Sequence, residues 1–179
     1  ITDLSVTIDA SAGDRSMHII EDYTFEFDKI TFDPSHGFYR DIAINSGEKI
    51  RNLKVYNASD FSDEFELSYP NQNVLRVRVG SPDRIIWGSE LRCTIEYTMI
   101  TPPFADNPDA LAVNAIGQGW SCRIYHADVH VILPANTDAA PEYFYGSWGE
   151  SKNPVGVLID SAPKAGLKEY SFSVNAEYE

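Results

Sequence analysis

The sequence predicts an all-β protein, an antiparallel β-sandwich of about ten strands of the immunoglobulin-like or jelly-roll-like kind. Apolar side chains recur at every second position in most segments, whereas helical periodicity is almost absent. Glycine, proline and asparagine separate these segments at short intervals. The 179 residues suffice for one domain with a buried core, and 43% of them are hydrophobic, which excludes wholesale disorder.

The predicted strands follow one another along the chain, each marked by alternation and ended by turn residues. They lie near residues 4–8, 17–27, 38–44, 50–55, 65–69, 75–79, 91–99, 127–133, 155–159 and 170–178. A slip in the alternation near Asn52 predicts a β-bulge, and Pro70-Asn71 predicts a turn. Residues 105–118 are expected to be irregular or to hold a helical turn. No repeat or change in composition divides the chain, so we expect a single domain over residues 1–179.

Two of these strands carry a charge where the alternation calls for an apolar residue. Glu21 interrupts the second strand and Arg40 interrupts the third. Because side chains of a strand alternate between its two faces, each charge should point into the core with its apolar neighbours. An unpaired ion there would cost several kcal/mol. We therefore predict a structural ion pair between Glu21 and Arg40 that fixes the register of two neighbouring strands. The alternative is a catalytic acid with its positioning cation.

The charge of the chain excludes several classes of partner. A formal net charge of −13 argues against nucleic-acid binding, since no basic patch could offset phosphate repulsion. The same charge disfavours docking on anionic lipid. No apolar run approaches the roughly 18 residues of a membrane span. The sequence starts at Ile1 in a strand-like segment without a signal peptide, as a mature or trimmed chain does.

The sequence gives little evidence for a metal-binding or cofactor-binding site. Cys93 and Cys122 are either two small buried hydrophobes or one disulfide worth about 2–4 kcal/mol, and they are too few for a zinc cage of cysteines. His126 and His130 lie on a predicted strand, where four residues span about 13 Å, so one ion could not bridge them. The acidic stretches near residues 60–66 and 106–109 lack the spacing of a calcium loop. No nucleophile elbow and no phosphate-binding loop is present. We expect no metal and no cofactor.

Two further groups of residues admit both a structural and a binding interpretation. His36 precedes Gly37, so it either caps a turn or binds a ligand and titrates near neutral pH. Tyr143, Tyr145 and Trp148 crowd a glycine-flanked loop. Their rings either plug one end of the sandwich or, if exposed, stack on sugars or on a partner.

Several motifs along the chain occur together in one known family. They are a hydrophobic strand with an embedded glutamate at residues 19–27, the run His-Gly-Phe-Tyr-Arg-Asp-Ile at 36–42, and Asn-Ala-Ile-Gly-Gln-Gly-Trp at 114–120. With these motifs the chain resembles the extracytoplasmic N-terminal domain of the predicted bacterial membrane proteins known as domain of unknown function 2207. It departs from the family pattern at Val113, where a tryptophan is expected, and neither cysteine belongs to the pattern.

The resemblance implies a location and a topology, and no chemistry. Our leading hypothesis is a non-enzymatic extracytoplasmic domain, anchored in the membrane through segments absent from this chain, that binds an unknown protein or glycan partner. The candidate binding residues are His36, Tyr39, Asp41, Tyr143, Tyr145 and Trp148. One alternative is a carbohydrate-binding module that uses the aromatic loop 143–148. A second is a carboxylate-dependent hydrolase, which would need a deep cleft with two carboxyl groups about 5–10 Å apart.

Overall fold

The computed structural model describes residues 1–26, 36–56, 65–80, 83, 90–103, 111–116, 122–138, 159–161 and 166–175. These residues form ten strands in two sheets and contain no helix. The strands are β1 (Asp3–Asp9), β2 (Ser16–Glu26), β3 (Phe38–Ala43), β4 (Lys49–Tyr56), β5 (Phe65–Asn71), β6 (Val74–Val79), β7 (Glu90–Ile100), β8 (His126–Pro134), β9 (Ile159–Ser161) and β10 (Leu167–Asn175). The predicted all-β sandwich is thereby confirmed.

The larger sheet has seven strands in the order β4-β7-β2-β1-β8-β10-β9. Its longest pairing joins β2 and β7 without a break, from Ser16 opposite Ile100 to Glu26 opposite Glu90. The central strand β1 pairs antiparallel with β2 and parallel with β8, so the prediction of a wholly antiparallel sandwich is wrong at this one pair. Alternation of apolar residues sets which face of a strand is buried, and it carries no information about the direction of the neighbouring strand.

The smaller sheet has three strands in the order β3-β6-β5. Its hairpin turns at Gln72 and Asn73, so the turn predicted at Pro70-Asn71 lies two residues too early, and those two residues belong to β5. Pro70 is accommodated in a strand because β5 lies at the edge of its sheet, where a missing N–H breaks no pairing.

One hydrophobic core lies between the two sheets. Val6, Ile19 and Ile95 of the larger sheet and Val77 of the smaller one are fully buried in it. The bulge predicted near Asn52 is confirmed, because the pairing of β4 with β7 shifts register there and Asn52 has a φ of 53°. The two layers therefore face each other with strands β2 and β3 on opposite sides of the core.

Candidate functional site

The two charges singled out by the sequence meet between the sheets. Glu21 lies in the middle of β2, where its strand neighbours are Val6 on β1 and Ile95 on β7. Arg40 reaches it from β3, and both residues are buried, Glu21 with 0% and Arg40 with 1% of the residue surface exposed. Arg40 donates from Nε to Glu21 Oε2 at 2.8 Å and from Nη2 to Glu21 Oε1 at 2.7 Å. This is a bidentate pair, the strongest arrangement of an arginine with a carboxylate.

The strands joined by this pair are not neighbours. β2 pairs with β1 and β7 in the larger sheet, whereas β3 pairs with β6 in the smaller one. The expectation that the ion pair fixes the register of adjacent strands is therefore wrong. Because the bond crosses the core, it fixes instead how one sheet is placed on the other.

Two tyrosines complete the buried site, which we call the inner cluster: Glu21, Arg40, Tyr23 and Tyr97. The hydroxyl of Tyr97 on β7 donates to Glu21 Oε1 at 2.8 Å, and the hydroxyl of Tyr23 on β2 donates to Glu21 Oε2. Each carboxylate oxygen thus accepts two hydrogen bonds. Arg40 also donates from Nη1 to the carbonyl of Asp41 at 2.6 Å. Among the described residues, every buried side-chain nitrogen and oxygen has a hydrogen-bond partner.

The electrostatics of the inner cluster favour one protonation state. Burial raises the pKa of Tyr23 and of Tyr97 well above 10, and the negative charge of Glu21 raises it further. Burial alone would lower the pKa of the Arg40 guanidinium, but attraction to Glu21 outweighs that effect and the pKa is raised. The cluster therefore holds an ionised arginine and two neutral phenols around Glu21, which suits a permanent structural tie.

A second bidentate pair lies one residue along β3, on the opposite face of the smaller sheet. Arg76 of β6 donates from Nε and Nη2 to the two oxygens of Asp41, both at 2.7 Å. The guanidinium carbon of Arg76 also lies 5.0 Å from the centre of the Tyr39 ring. This hydrogen bonding to Arg76 lowers the pKa of Asp41. Tyr39, Asp41 and Arg76 form what we call the outer patch, in which Tyr39 is 54% exposed.

The residues just before β3 shape this region through the backbone. His36 is partly buried, and Gly37 adopts a φ of 125°. A Cβ on Gly37 would lie 1.9 Å from the carbonyl oxygen of Val79, and one on Gly80 would lie 2.4 Å from the carbonyl oxygen of His36. Two backbones touch where β3 begins and β6 ends, so only glycine fits at either position.

Among the described residues, the remaining candidates are not brought together into one site. Both cysteines are free, Cys93 buried in the core and Cys122 exposed, so no disulfide joins them in the structure. His126 bonds Asp128, its neighbour on the same face of β8, and His130 is exposed. No group of three metal-ligating side chains occurs among the described residues. The aromatic residues Tyr143, Tyr145 and Trp148 lie outside the described residues, as do Trp87 and Trp120 and most of the two acidic stretches.

Sequence reasoning missed three of the residues that build these sites. Tyr23 could have been found, since it follows Glu21 by two positions and so shares its face. Tyr97 looks in the sequence like any other core residue of β7. Arg76 occupies a polar position of an alternating strand, and nothing in the sequence indicates that Asp41 lies opposite it.

Comparison with known proteins identifies a family and a fold. A family model described as "Predicted membrane protein (DUF2207) N-terminal domain" matches residues 1–162. Strand β10 lies beyond that match and yet pairs with β8 from Leu167 to Asn175. No helix in the described part of the chain is long and apolar enough to cross a membrane. A comparison with curated proteins gives no match.

Two solved structures match this chain. One is an M1 zinc metallopeptidase from Deinococcus radiodurans, an E323A mutant bound to a Tyr-Ser-Ala substrate, with a TM-score of 0.51 and 13% identity. The similarity covers 97% of this chain and 38% of the metallopeptidase, so this chain spans well under half of that protein. The other is native yeast LTA4 hydrolase, with a TM-score of 0.40 and 7% identity over 97% of this chain and 28% of the hydrolase. At such identities the first similarity concerns the fold alone.

Proposed function

Because this chain belongs to the DUF2207 family of predicted membrane proteins, we propose that it is the extracytoplasmic domain of a membrane-anchored protein. In this proposal the domain binds a protein or glycan partner and catalyses no reaction. The binding surface is the outer patch, on the face of the smaller sheet that points away from the core.

The observation that carries this proposal is the prearranged tyrosine and arginine of the outer patch. Arg76 is held from one side by both oxygens of Asp41 and lies over the ring of Tyr39. Tyrosine and arginine are the residue types most enriched where partners bind, and fixing them in advance reduces the entropy lost on binding. Tyr39 is also one of the five large hydrophobic side chains that are exposed in the described part of the chain.

The inner cluster supports a domain without catalysis. A catalytic acid must reach its substrate and exchange a proton with it. Glu21 is fully buried, and its two oxygens already accept four hydrogen bonds. This arrangement favours a structural role over the hydrolase alternative.

Binding can be tested by sedimenting the purified domain with cell envelopes that contain membrane and wall. We expect Tyr39→Ala to weaken this association by about 2 kcal/mol, or roughly 30-fold, as for a residue at the centre of an interface. The matched control is Tyr56→Ala, which removes another exposed tyrosine, 43% against 54% for Tyr39, from β4 at the edge of the larger sheet. Equal behaviour of the two variants would contradict the assignment to the outer patch.

The side of the membrane can be tested with the two cysteines. Burial raises the pKa of the Cys93 thiol to about 12, so it stays protonated and unreactive, whereas Cys122 is exposed. In the full-length protein, Cys122→Ser with Tyr39→Cys should therefore leave one reactive thiol in this domain, at residue 39. We expect a membrane-impermeant maleimide to label it in intact cells. Labelling that requires cell lysis would place the domain in the cytoplasm and overturn this part of the proposal.

A further inference from the structure

Strand β5 is exposed in a way that its neighbours are not. A strand that covers a core alternates between buried and exposed positions, as β6 does with Leu75, Val77 and Val79 buried. In β5 all residues from 66 to 71 are exposed, on both faces of the sheet. Leu67 stands opposite the fully buried Val77 and is nevertheless 49% exposed. Within the described residues β5 pairs with β6 alone, so its other edge is the end of the sheet.

Natural proteins usually protect such an edge against pairing with other chains, and β5 is protected over half of its length. Pro70 lacks an N–H, and the pairing with β6 shifts register between Ser68 and Asn71. Residues 65–68 contain neither a proline nor a register shift, and they pair regularly with residues 76–79 of β6. Four residues of regular backbone edge therefore remain available for hydrogen bonds with another strand.

The net charge of the chain limits which kind of polypeptide could pair with this edge of β5. The chain carries a net charge of −13, so a second copy of it, or an acidic partner, would be repelled. Glu66, at the centre of the regular segment, is 71% exposed on its side chain and only loosely paired with Arg78, at 3.5 Å. A segment with cationic side chains would be attracted by the whole chain and could replace Arg78 as the partner of Glu66.

We propose that the edge formed by residues 65–68 binds an extended cationic polypeptide segment, which adds to the smaller sheet as a fourth strand. This inference rests on the proposed function, because it gives the chemical class of a partner that also meets the outer patch. Main-chain hydrogen bonds supply the affinity and the charge of Glu66 sets the preference.

The probe for this proposal is a fluorescein-labelled peptide of seven alternating lysine and valine residues, measured by fluorescence anisotropy with the purified domain. Two further peptides carry N-methyl groups on alternate amides, one along each edge of the peptide. Only one edge of an added strand pairs with β5, so we expect one methylated peptide to lose at least about tenfold in affinity while the other binds like the parent. Absence of binding by the parent, equal binding by both methylated peptides, or loss with both would overturn the proposal.

Matched charge reversals separate this edge from general attraction to an acidic protein. Glu66→Lys should weaken peptide binding about tenfold, whereas Glu90→Lys, which makes the same change of charge at the start of β7 in the other sheet, should change it less than about twofold. Equal effects would show binding by charge alone and overturn the proposal. A dimer in sedimentation that Glu66→Lys alters would assign the edge to a second copy, which also overturns it.

The envelope assay distinguishes this inference from the function on which it rests. If Tyr39→Ala weakens envelope binding and Glu66→Lys does not, the proposed function stands and the strand-addition inference falls. If the peptide binds as expected but Tyr39→Ala leaves envelope binding unchanged, the outer patch is not the envelope-binding surface. The assignment of peptide binding to the edge of β5 then still stands.

Discussion

Two arginine–carboxylate pairs lie one residue apart on β3 and point in opposite directions. Arg40 pairs with Glu21 inside the core, and Asp41 pairs with Arg76 outside it. Both are bidentate, with distances of 2.7 and 2.8 Å inside and 2.7 Å outside. Their side chains differ in exposure, with 2% and 0% inside against 37% and 31% outside. The geometry of the two pairs is thus nearly the same, whereas their exposure to solvent differs.

From this difference we expect burial, rather than geometry, to decide what each ion pair contributes to stability. Inside, both ions have lost their water, so the attraction mainly offsets the cost of desolvation, and removal of one partner leaves the other without compensation. Outside, water replaces a lost partner at little cost. The inner pair therefore ties the sheets together permanently, whereas the outer pair can be remodelled when a partner binds.

The largest effect is expected when one ion of the inner pair is removed. Arg40→Met leaves Glu21 buried with two tyrosine hydroxyls as its remaining donors, so we expect a loss of about 3–5 kcal/mol in the free energy of unfolding. Urea denaturation measures this quantity.

The double variant Arg40→Met with Glu21→Leu serves as the control. It should recover much of the loss, because no uncompensated charge remains, although the hydroxyls of Tyr23 and Tyr97 then lack their acceptor. If the single and double variants are equally unstable, the ion pair is not what Arg40 contributes.

A smaller loss is expected when the inner cluster keeps both ions and loses one donor. Tyr97→Phe retains the ring in the core and removes the hydroxyl that donates to Glu21 Oε1 at 2.8 Å. A hydrogen bond to a charged group contributes about 1.5–3 kcal/mol, and we expect a loss of that size. Tyr56→Phe removes a hydroxyl that donates to the partly exposed Glu96, at 2.9 Å, and should cost less than about 1 kcal/mol. Similar losses for both would mean that burial of the inner cluster has no energetic consequence.

The phenol groups of Tyr23 and Tyr97 make the free energy of unfolding depend on pH in the alkaline range. The pKa of Tyr23 and of Tyr97 is raised by folding, so the native protein keeps both protons when the unfolded chain begins to lose them near pH 10. The unfolded state then binds fewer protons, and the free energy of unfolding falls as pH rises above 10. Each tyrosine contributes up to about 1.4 kcal/mol per pH unit to this slope. The variant Tyr23→Phe with Tyr97→Phe should show a flatter decline, and an unchanged slope would contradict the assignment.

The contrast between inside and outside also separates what the sequence could predict from what it could not. Alternation was sufficient for the burial of Glu21 and Arg40 and for most strands in the described part of the chain, because period two depends only on local geometry. Of the strand predicted near residues 155–159, residues 155–158 lie outside the described part, and Ile159 begins β9. Alternation was insufficient to predict which strands pair with one another. The parallel pairing of β1 with β8 and the placement of β2 and β3 in different sheets depend on contacts between distant residues, on which local alternation is silent.

The candidate site was predictable to a similar degree. The motif at residues 36–42 indicated Tyr39 and Asp41 as candidate binding residues. Arg76 was missed because its role depends on the register of β3 against β6. The approach of Gly80 to the carbonyl of His36 was missed for the same reason, since it joins the two ends of that pairing.

The smallest loss of stability is expected when the outer pair is broken. This prediction is the strictest test of the comparison between the two ion pairs. Arg76→Met makes the same substitution as Arg40→Met in a pair of the same geometry, and it should cost only about 0.2–1 kcal/mol because the site is open to water. Arg76 lowers the pKa of Asp41 in the folded state, so its contribution is present above about pH 4 and is lost as pH falls further. The difference in stability between wild type and Arg76→Met, measured by urea titration, should therefore decrease as the pH is lowered below about 4. A loss from Arg76→Met at neutral pH as large as that from Arg40→Met would mean that geometry, and not burial, sets the strength of both pairs.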